Sequence, residues 1–191
     1  MPARDLGAVL AGEASLAQSV VHFESGGFAL VPGRSGSGDL SGLSAEQLAR
    51  LLGELDALRP DYDHIILDLG AGVGRSVRRM AAWADIVLVL ASEEPTSLTD
   101  AYATLKLHAA DRPDGDARLI VNQAKDYAAG ERTASTLVRA CSNFLGRAPA
   151  VVGTILRDPR VPDCIRRQSL LLTRYPASPA AADIERIAAK L

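Results

Sequence analysis

The chain has 191 residues, 48% of them apolar and 23% charged, with a formal net charge of −2. That is enough for one sizeable core, and too little positive charge for nucleic-acid binding through bulk electrostatics. Cys141 and Cys164 have neither metal-ligand spacing nor a paired framework, no signal-peptide start is present, and no apolar run reaches the ~18 residues of a membrane span. The sequence therefore predicts a cytoplasmic protein with reduced, inert thiols.

In chain order, Phe28 to Val31 is a short apolar run closed by Pro32-Gly33 and reads as a strand. Ser35 to Gly42 is a glycine and serine loop. Ser44, with Gln47 three residues later, has the spacing of a capping box. The helix it opens carries Leu48, Leu51, Leu52, Leu55 and Leu58 on one face and stops at Pro60. A buried apolar run, Ile65-Ile66-Leu67, is read as the next strand, and a helix near Arg75 to Ala84 follows. Then come a strand Ile86 to Ala91, a helix opening at Ser97 with Asp100 at capping-box distance, and a strand Ala117 to Asn122. The spacing next predicts a helix from about Ala129 to Leu145 with Leu137, Val138, Cys141 and Phe144 inward and Gly146 as its C-terminal cap. A strand Ala150 to Ile155 precedes Ser178-Pro179, an N-cap with Pro at the first helical position, and a last helix with Ile184, Ile187 and Leu191 apolar. Strands and helices alternate, and several strands are apolar throughout. That pattern predicts one α/β domain over residues 1–191, with a mostly parallel sheet flanked by helices.

Chemistry concentrates at Tyr62-Asp-His-Ile-Ile-Leu-Asp68, followed by a loop with Gly70, Gly72 and Gly74. A parallel strand that ends in a carboxylate and a glycine loop builds a site at its C-terminal edge. A standard dinucleotide site is excluded, because Arg75 stands where the third glycine of that fingerprint packs helix against strand. Two owners remain on this segment alone. One is an S-adenosylmethionine-dependent methyltransferase, whose first motif the stretch from Ile66 to Gly74 resembles, with Glu93 or Glu94 for the ribose hydroxyls. The other is a Walker B-like strand of a phosphate-binding ATPase.

The second resemblance extends over nearly the whole chain. Tyr62 to Gly72 resembles the Walker B region of the MinD/ParA ATPases. Ala84 to Tyr102, with Glu93-Glu94-Pro95, is similar to the strand, acidic-Pro turn and helix that follow there, and its wording is especially like the FlhG branch. Leu119-Ile-Val-Asn122, Gly153 to Asp158, Tyr175 to Pro179 and the N-terminal Asp5 to Leu16 resemble further elements of that family. The resemblance implies ATP and Mg²⁺ as cofactors: Asp68 holding the metal through water, Asn122 reading adenine, Arg157 and Asp158 bordering the base, and Gly70 and Gly72 in the loop. It also implies a P-loop NTPase-like sheet, a homodimer in an intact parent, and partnership with a signal-recognition-type GTPase and with flagellar basal-body or transcription factors.

The phosphate side is what these 191 residues lack. A phosphate loop needs a Lys after glycine and a Ser or Thr for Mg²⁺, yet Lys106, Lys125 and Lys190 follow Leu105, Ala124 and Ala189. The sequence thus predicts an N-terminally incomplete MinD/ParA-like domain, without the P-loop strand and deficient in ATP binding and hydrolysis. A non-catalytic interaction module on the same scaffold is the further alternative. Arg75, Arg78 and Arg79, and Arg166 with Arg167, read as solvated faces rather than DNA contacts, and His22, His64 and His108 form no constellation.

Overall fold

A capping box starts the main helix of the N-terminal half: Gln47 N donates to Ser44 Oγ at 3.1 Å and Ser44 N to Gln47 Oε1 at 3.0 Å. The helix runs Ala45–Leu58 (α2) and buries Leu48, Leu51 and Leu55 on its predicted face. The computed structural model describes residues 5–33 and 42–191, so the predicted Ser35-to-Gly42 loop lies outside the described residues except for Gly42. The chain divides into two compact units, Met1–Trp83 and Ala84–Leu191.

In the first unit, Asp5 caps the helix Leu6–Ala11 (α1) by accepting from Ala8 N at 3.0 Å. Arg50 of α2 donates to the carbonyl oxygens of Val9 (3.0 Å) and Leu10 (2.7 Å), near the end of α1. A cation on those terminal carbonyls complements the helix dipole. A short antiparallel hairpin, Val21–Phe23 (β1) with Phe28–Leu30 (β2), confirms a strand at Phe28 and adds a partner that the sequence reading missed. Helix Arg75–Trp83 (α3) brings Met80 into a core with Val9, Leu10, Leu16 and the α2 leucines.

The expected strand over Ile65–Leu67 is not one. No ladder pairs it among the described residues, and Ile66 is 89% exposed. Its burial alternates instead: Ile65, Leu67 and Leu69 pack against the core while Ile66, Asp68 and Gly70 face outward. The stretch has a strand's period of two without the hydrogen-bonded neighbour that makes a strand.

The second unit is a three-stranded parallel sheet in the order Ile86–Ala91 (β3), Asp116–Ala124 (β4), Ala150–Leu156 (β5). Helix Pro95–Asp111 (α4) links the first two strands and Tyr127–Leu145 (α5) the last two. The register aligns Leu88 with Arg118, Val89 with Leu119, and Leu119 with Val151. On one face Val89, Ala91, Leu119 and Val121 meet Ala101 and Leu105 of α4 and Leu137 and Cys141 of α5. On the other face Ile120 and Val152 meet Ile187 of helix Pro179–Ala188 (α8), leaving Leu88 and Leu90 of β3 exposed. Two short helices, Arg160–Arg166 (α6) and Leu171–Arg174 (α7), sit between β5 and α8.

Two local expectations need correction. Helix α4 starts at Pro95, not Ser97, because Pro pre-sets the first helical φ; Ser97 Oγ instead accepts from Ser92 N at 2.9 Å. Phe144 is 77% exposed, since in the last turn of α5 Leu145 takes the inward place beside Cys141 and His108. Gly146 does end α5 in the left-handed conformation, at φ 69°. Among the described residues no helix is long and apolar enough to cross a membrane.

Candidate functional site

The C-terminal ends of β3, β4 and β5 share one edge of the sheet, the edge at which open parallel sheets place ligands. Their turns are fastened by side chains. Glu93, after β3, accepts from Lys125 N at 2.7 Å and ties the acidic-Pro turn to the end of β4. Arg157 N, just past β5, donates to Ala124 O at 2.9 Å. Asn122, two residues before the end of β4, and Arg157, directly after β5, therefore lie on neighbouring strands.

β4 is irregular at this point. Its pairing with β5 slips between Val121 and Ala124, so Asn122 and Gln123 form a bulge opposite one residue of β5. Gln123 has φ 57°, a left-handed conformation that side chains other than glycine adopt at a cost of order 1 kcal/mol. Asn122 Oδ1 accepts from Gln123 N at 2.9 Å, which fixes the amide plane and holds the bulge. Bulges re-aim side chains next to binding sites; this one presents the half-buried Asn122 amide, with its NH₂ group available as donor.

Asp158 is placed differently from its sequence partner Arg157. Arg157 is exposed, whereas Asp158 is only 6% exposed. Its carboxylate accepts from Arg160 N at 2.9 Å and Ala180 N at 3.3 Å. Burial alone would push its pKa up, but those amides, the Ser178 hydroxyl and the Arg160 charge outweigh burial and hold it below the ordinary carboxylate range. Asp158 thus fastens the start of α8, where Ser178 Oγ also accepts from Ala181 N at 3.2 Å, and shapes the loop rather than offering its side chain.

A third carboxylate, missed in the sequence, completes the frame. Asp183 of α8 is buried and accepts from Leu156 N at 2.9 Å, from Tyr127 OH at 2.8 Å and from Arg186. The signal was present: Asp183 falls on the α8 face that carries Ala180 and Ile187, where an acid must have partners.

The remaining predicted residues belong to the first unit. Asp68 is exposed at the end of the alternating segment, and the loop after it turns through Gly70 at φ 67° and Gly72 at φ 112°. Both need glycine for backbone reasons, since a Cβ on either would meet open space. Among the described residues no three His, Cys, Asp or Glu gather as a metal-binding group, so Asp68 contributes one carboxylate and no cage. Of the two acids that a methyltransferase reading offers to ribose, Glu93 accepts from Lys125 N, while Glu94 stands exposed at the N-cap of α4.

Comparison with known proteins follows the same line. The antiactivator FleN of Pseudomonas aeruginosa is 31% identical over 190 residues, an alignment spanning the whole chain and 68% of FleN. The flagellum site-determining protein YlxH of Helicobacter pylori is 27% identical over 184 residues, covering 95% of this chain and 61% of YlxH. Among solved structures, the MinD cell division protein of Aquifex aeolicus superposes with a TM-score of 0.74 at 20% identity, over 98% of this chain and 73% of its own. The MinD cell division ATPase of Pyrococcus furiosus gives 0.75 at 16% identity, over 100% and 76%. At these identities the structural likenesses establish the fold. No protein-family model matches the chain.

Proposed function

Because the chain belongs to the MinD/ParA family, in its FleN- and FlhG-like flagellar branch, we propose that it regulates flagellar number or placement as a nucleotide-switch scaffold whose 191 residues neither bind ATP tightly nor hydrolyse it. The observation that carries the reading is an asymmetry. Asn122 presented on a bulge of β4, with Arg157 directly after the neighbouring β5, supports a base-side role for this edge. The triphosphate side has no Gly-Lys-Thr or Gly-Lys-Ser anywhere in the sequence.

Each unit is read by itself: Asn122 and Arg157 of the second suit a purine, and Asp68 of the first suits a hydrated metal. Asn122 would offer its amide to the base, and Asp68 would hold Mg²⁺ through water, as a hard cation that keeps several waters prefers. Nothing in the Gly70–Gly74 loop supplies the cation that three phosphate groups require, and Arg75 is the first positive charge after it. Phosphoryl transfer depends on positioning and charge neutralisation, so no hydrolytic step is assigned to these residues. The reading extends to the family's partners: a second copy of the chain, a signal-recognition-type GTPase, and flagellar basal-body or transcription factors. It does not extend to DNA.

Calorimetric titration of the purified chain with ATP and Mg²⁺ is expected to give no saturable binding in the micromolar range; micromolar saturation would overturn the nucleotide part. Disrupting the gene is expected to change the number of flagella per cell, scored by electron microscopy. An unchanged count and placement would overturn the flagellar part, independently of the titration.

A further inference from the structure

Away from the ligand edge, at the start of β4, lies a buried side chain that the proposed function does not use. His108, in the last turn of α4, is 4% exposed, and neither of its ring nitrogens has a hydrogen-bond partner. Its ring is the floor of the turn that leads into β4. A Cβ on Gly115 would fall 2.5 Å from His108 Nε2 and 3.0 Å from Cε1, so only glycine lets the turn close on the imidazole. That turn is held by Arg112 N donating to His108 O at 2.8 Å and Gly115 N donating to Arg112 O at 2.9 Å. From outside it is strapped by Arg147, whose guanidinium donates to Pro113 O and, at 2.6 Å, to Gly115 O. His108 also borders a cleft of about 20 Å³, room for one water-sized molecule, lined in part by Cys141 and Leu145 of α5.

The charges facing the ring come from each element around it. Arg147 follows α5, and Arg112 and Asp111 end α4 itself. Cys141 on α5 is a thiol that burial pushes up, and it stays neutral. Asp116, at the start of β4, is bound by its own Arg118 at 2.7 Å. A neutral imidazole fits this place. An imidazolium would need acceptors for two N–H groups and would find two guanidiniums against one carboxylate.

We propose that His108 is a proton-sensitive latch: neutral, it seats the 112–115 turn; protonated, it leaves its place, opening the turn and the Cys141 side of the α4–α5 core to water. The direction of its pKa agrees. Burial first, then Arg147 and Arg112, lower it below the ordinary 6.5, with only Asp111 opposing. Above about pH 6.5 the imidazole is neutral whether the turn is closed or open, so the closed form is fully stable there. Below it the open form takes up the proton first, and the closed form loses ground until its own lowered pKa is passed.

Amide hydrogen exchange on the full chain tests this. Relative to intrinsic rates, protection of Arg112 and Gly115 is expected to fall by up to about tenfold per pH unit below about pH 6.5, while Leu119 in mid-β4 keeps its protection. His108→Gln and His108→Leu, which cannot take up the proton, are expected to flatten that slope. In the unmodified chain, ring resonances of His108 are expected to stay those of the neutral form for as long as the turn remains protected. Protection at Arg112 and Gly115 that ignores pH, a slope unchanged in either folded variant, or a His108 ring that charges while the turn stays closed would each overturn the latch.

Discussion

Replacing Leu119 with alanine is expected to lower the stability of the 84–191 unit by about 3–5 kcal/mol, the upper range for leucine truncation in a core that cannot collapse. Leu119 has no exposed surface. It lies on the central strand of the sheet, opposite Val89 on one side and Val151 on the other, so both backbone neighbours are pinned by ladders. Above it pack α4 and α5, which contribute Leu105, Leu137 and Cys141. Backbone held on two sides and helices held by their own contacts leave little freedom to fill the space of the lost methine and two methyl groups. The measurement is urea denaturation followed by circular dichroism: the midpoint should fall with an unchanged slope. Leu90→Ala is the control, because Leu90 is 54% exposed and its truncation should cost well under half as much. Equal losses at the two positions would contradict the assignment of the core face.

The second large effect is at Asp183, whose replacement by alanine should cost about 2–4 kcal/mol. Its side chain is fully buried while that of Arg186 is 61% exposed, so the arginine rehydrates when the acid is removed. The loss comes from Leu156 N and Tyr127 OH, which are left without their acceptor. Asp183→Asn keeps one carbonyl oxygen and should lose roughly half as much. Thermal melts rank the variants, and exchange at Leu156 N localises the damage: it should accelerate in both variants more than at Leu119. Because Leu156 directly precedes Arg157, the same change should loosen the base-side loop.

Local chemistry made much of this fold readable. The Ser44–Gln47 box, the Ser178-Pro179 start and the Gly146 end each announce a helix terminus through one hydrogen-bonding or backbone requirement, and each is where expected. The apolar runs of β3, β4 and β5 reveal themselves by length and composition, although on one face of β3 Leu88 and Leu90 lie exposed. The same logic failed at Ile65–Leu67, since an apolar run records a preference for burial and carries no information on whether a neighbour supplies the ladder. Strand β1 was missed although β2 was read, because Val21-His22-Phe23 has a histidine at its centre, whereas Pro32-Gly33 marks the end of the Phe28 run. At the candidate site, Asn122 and Arg157 are named by the resemblance to the MinD/ParA ATPases. The Gln123 bulge and the Glu93 tie to Lys125 N could not be read from the sequence, since both depend on register between strands far apart in sequence. Asp158, which the resemblance places at the border of the base, has its carboxylate on the amides of Arg160 and Ala180, a context that no sequence position announces.

Strand β3 has a further consequence, one that concerns the chain in crowded solution. Ile86-Val-Leu-Val-Leu-Ala91 is six residues without a charge, a proline or a glycine, at the outer edge of its own sheet, with Leu88 and Leu90 uncovered. Segments of that composition on an open edge are templates for edge-to-edge aggregation. Asp85 before the strand and Glu93-Glu94 after it stand at the flanking positions where gatekeeper charges limit edge pairing. Repulsion by such charges is screened within ~8 Å at physiological ionic strength. Added salt therefore screens that charge at the ends of β3 while leaving its apolar composition intact.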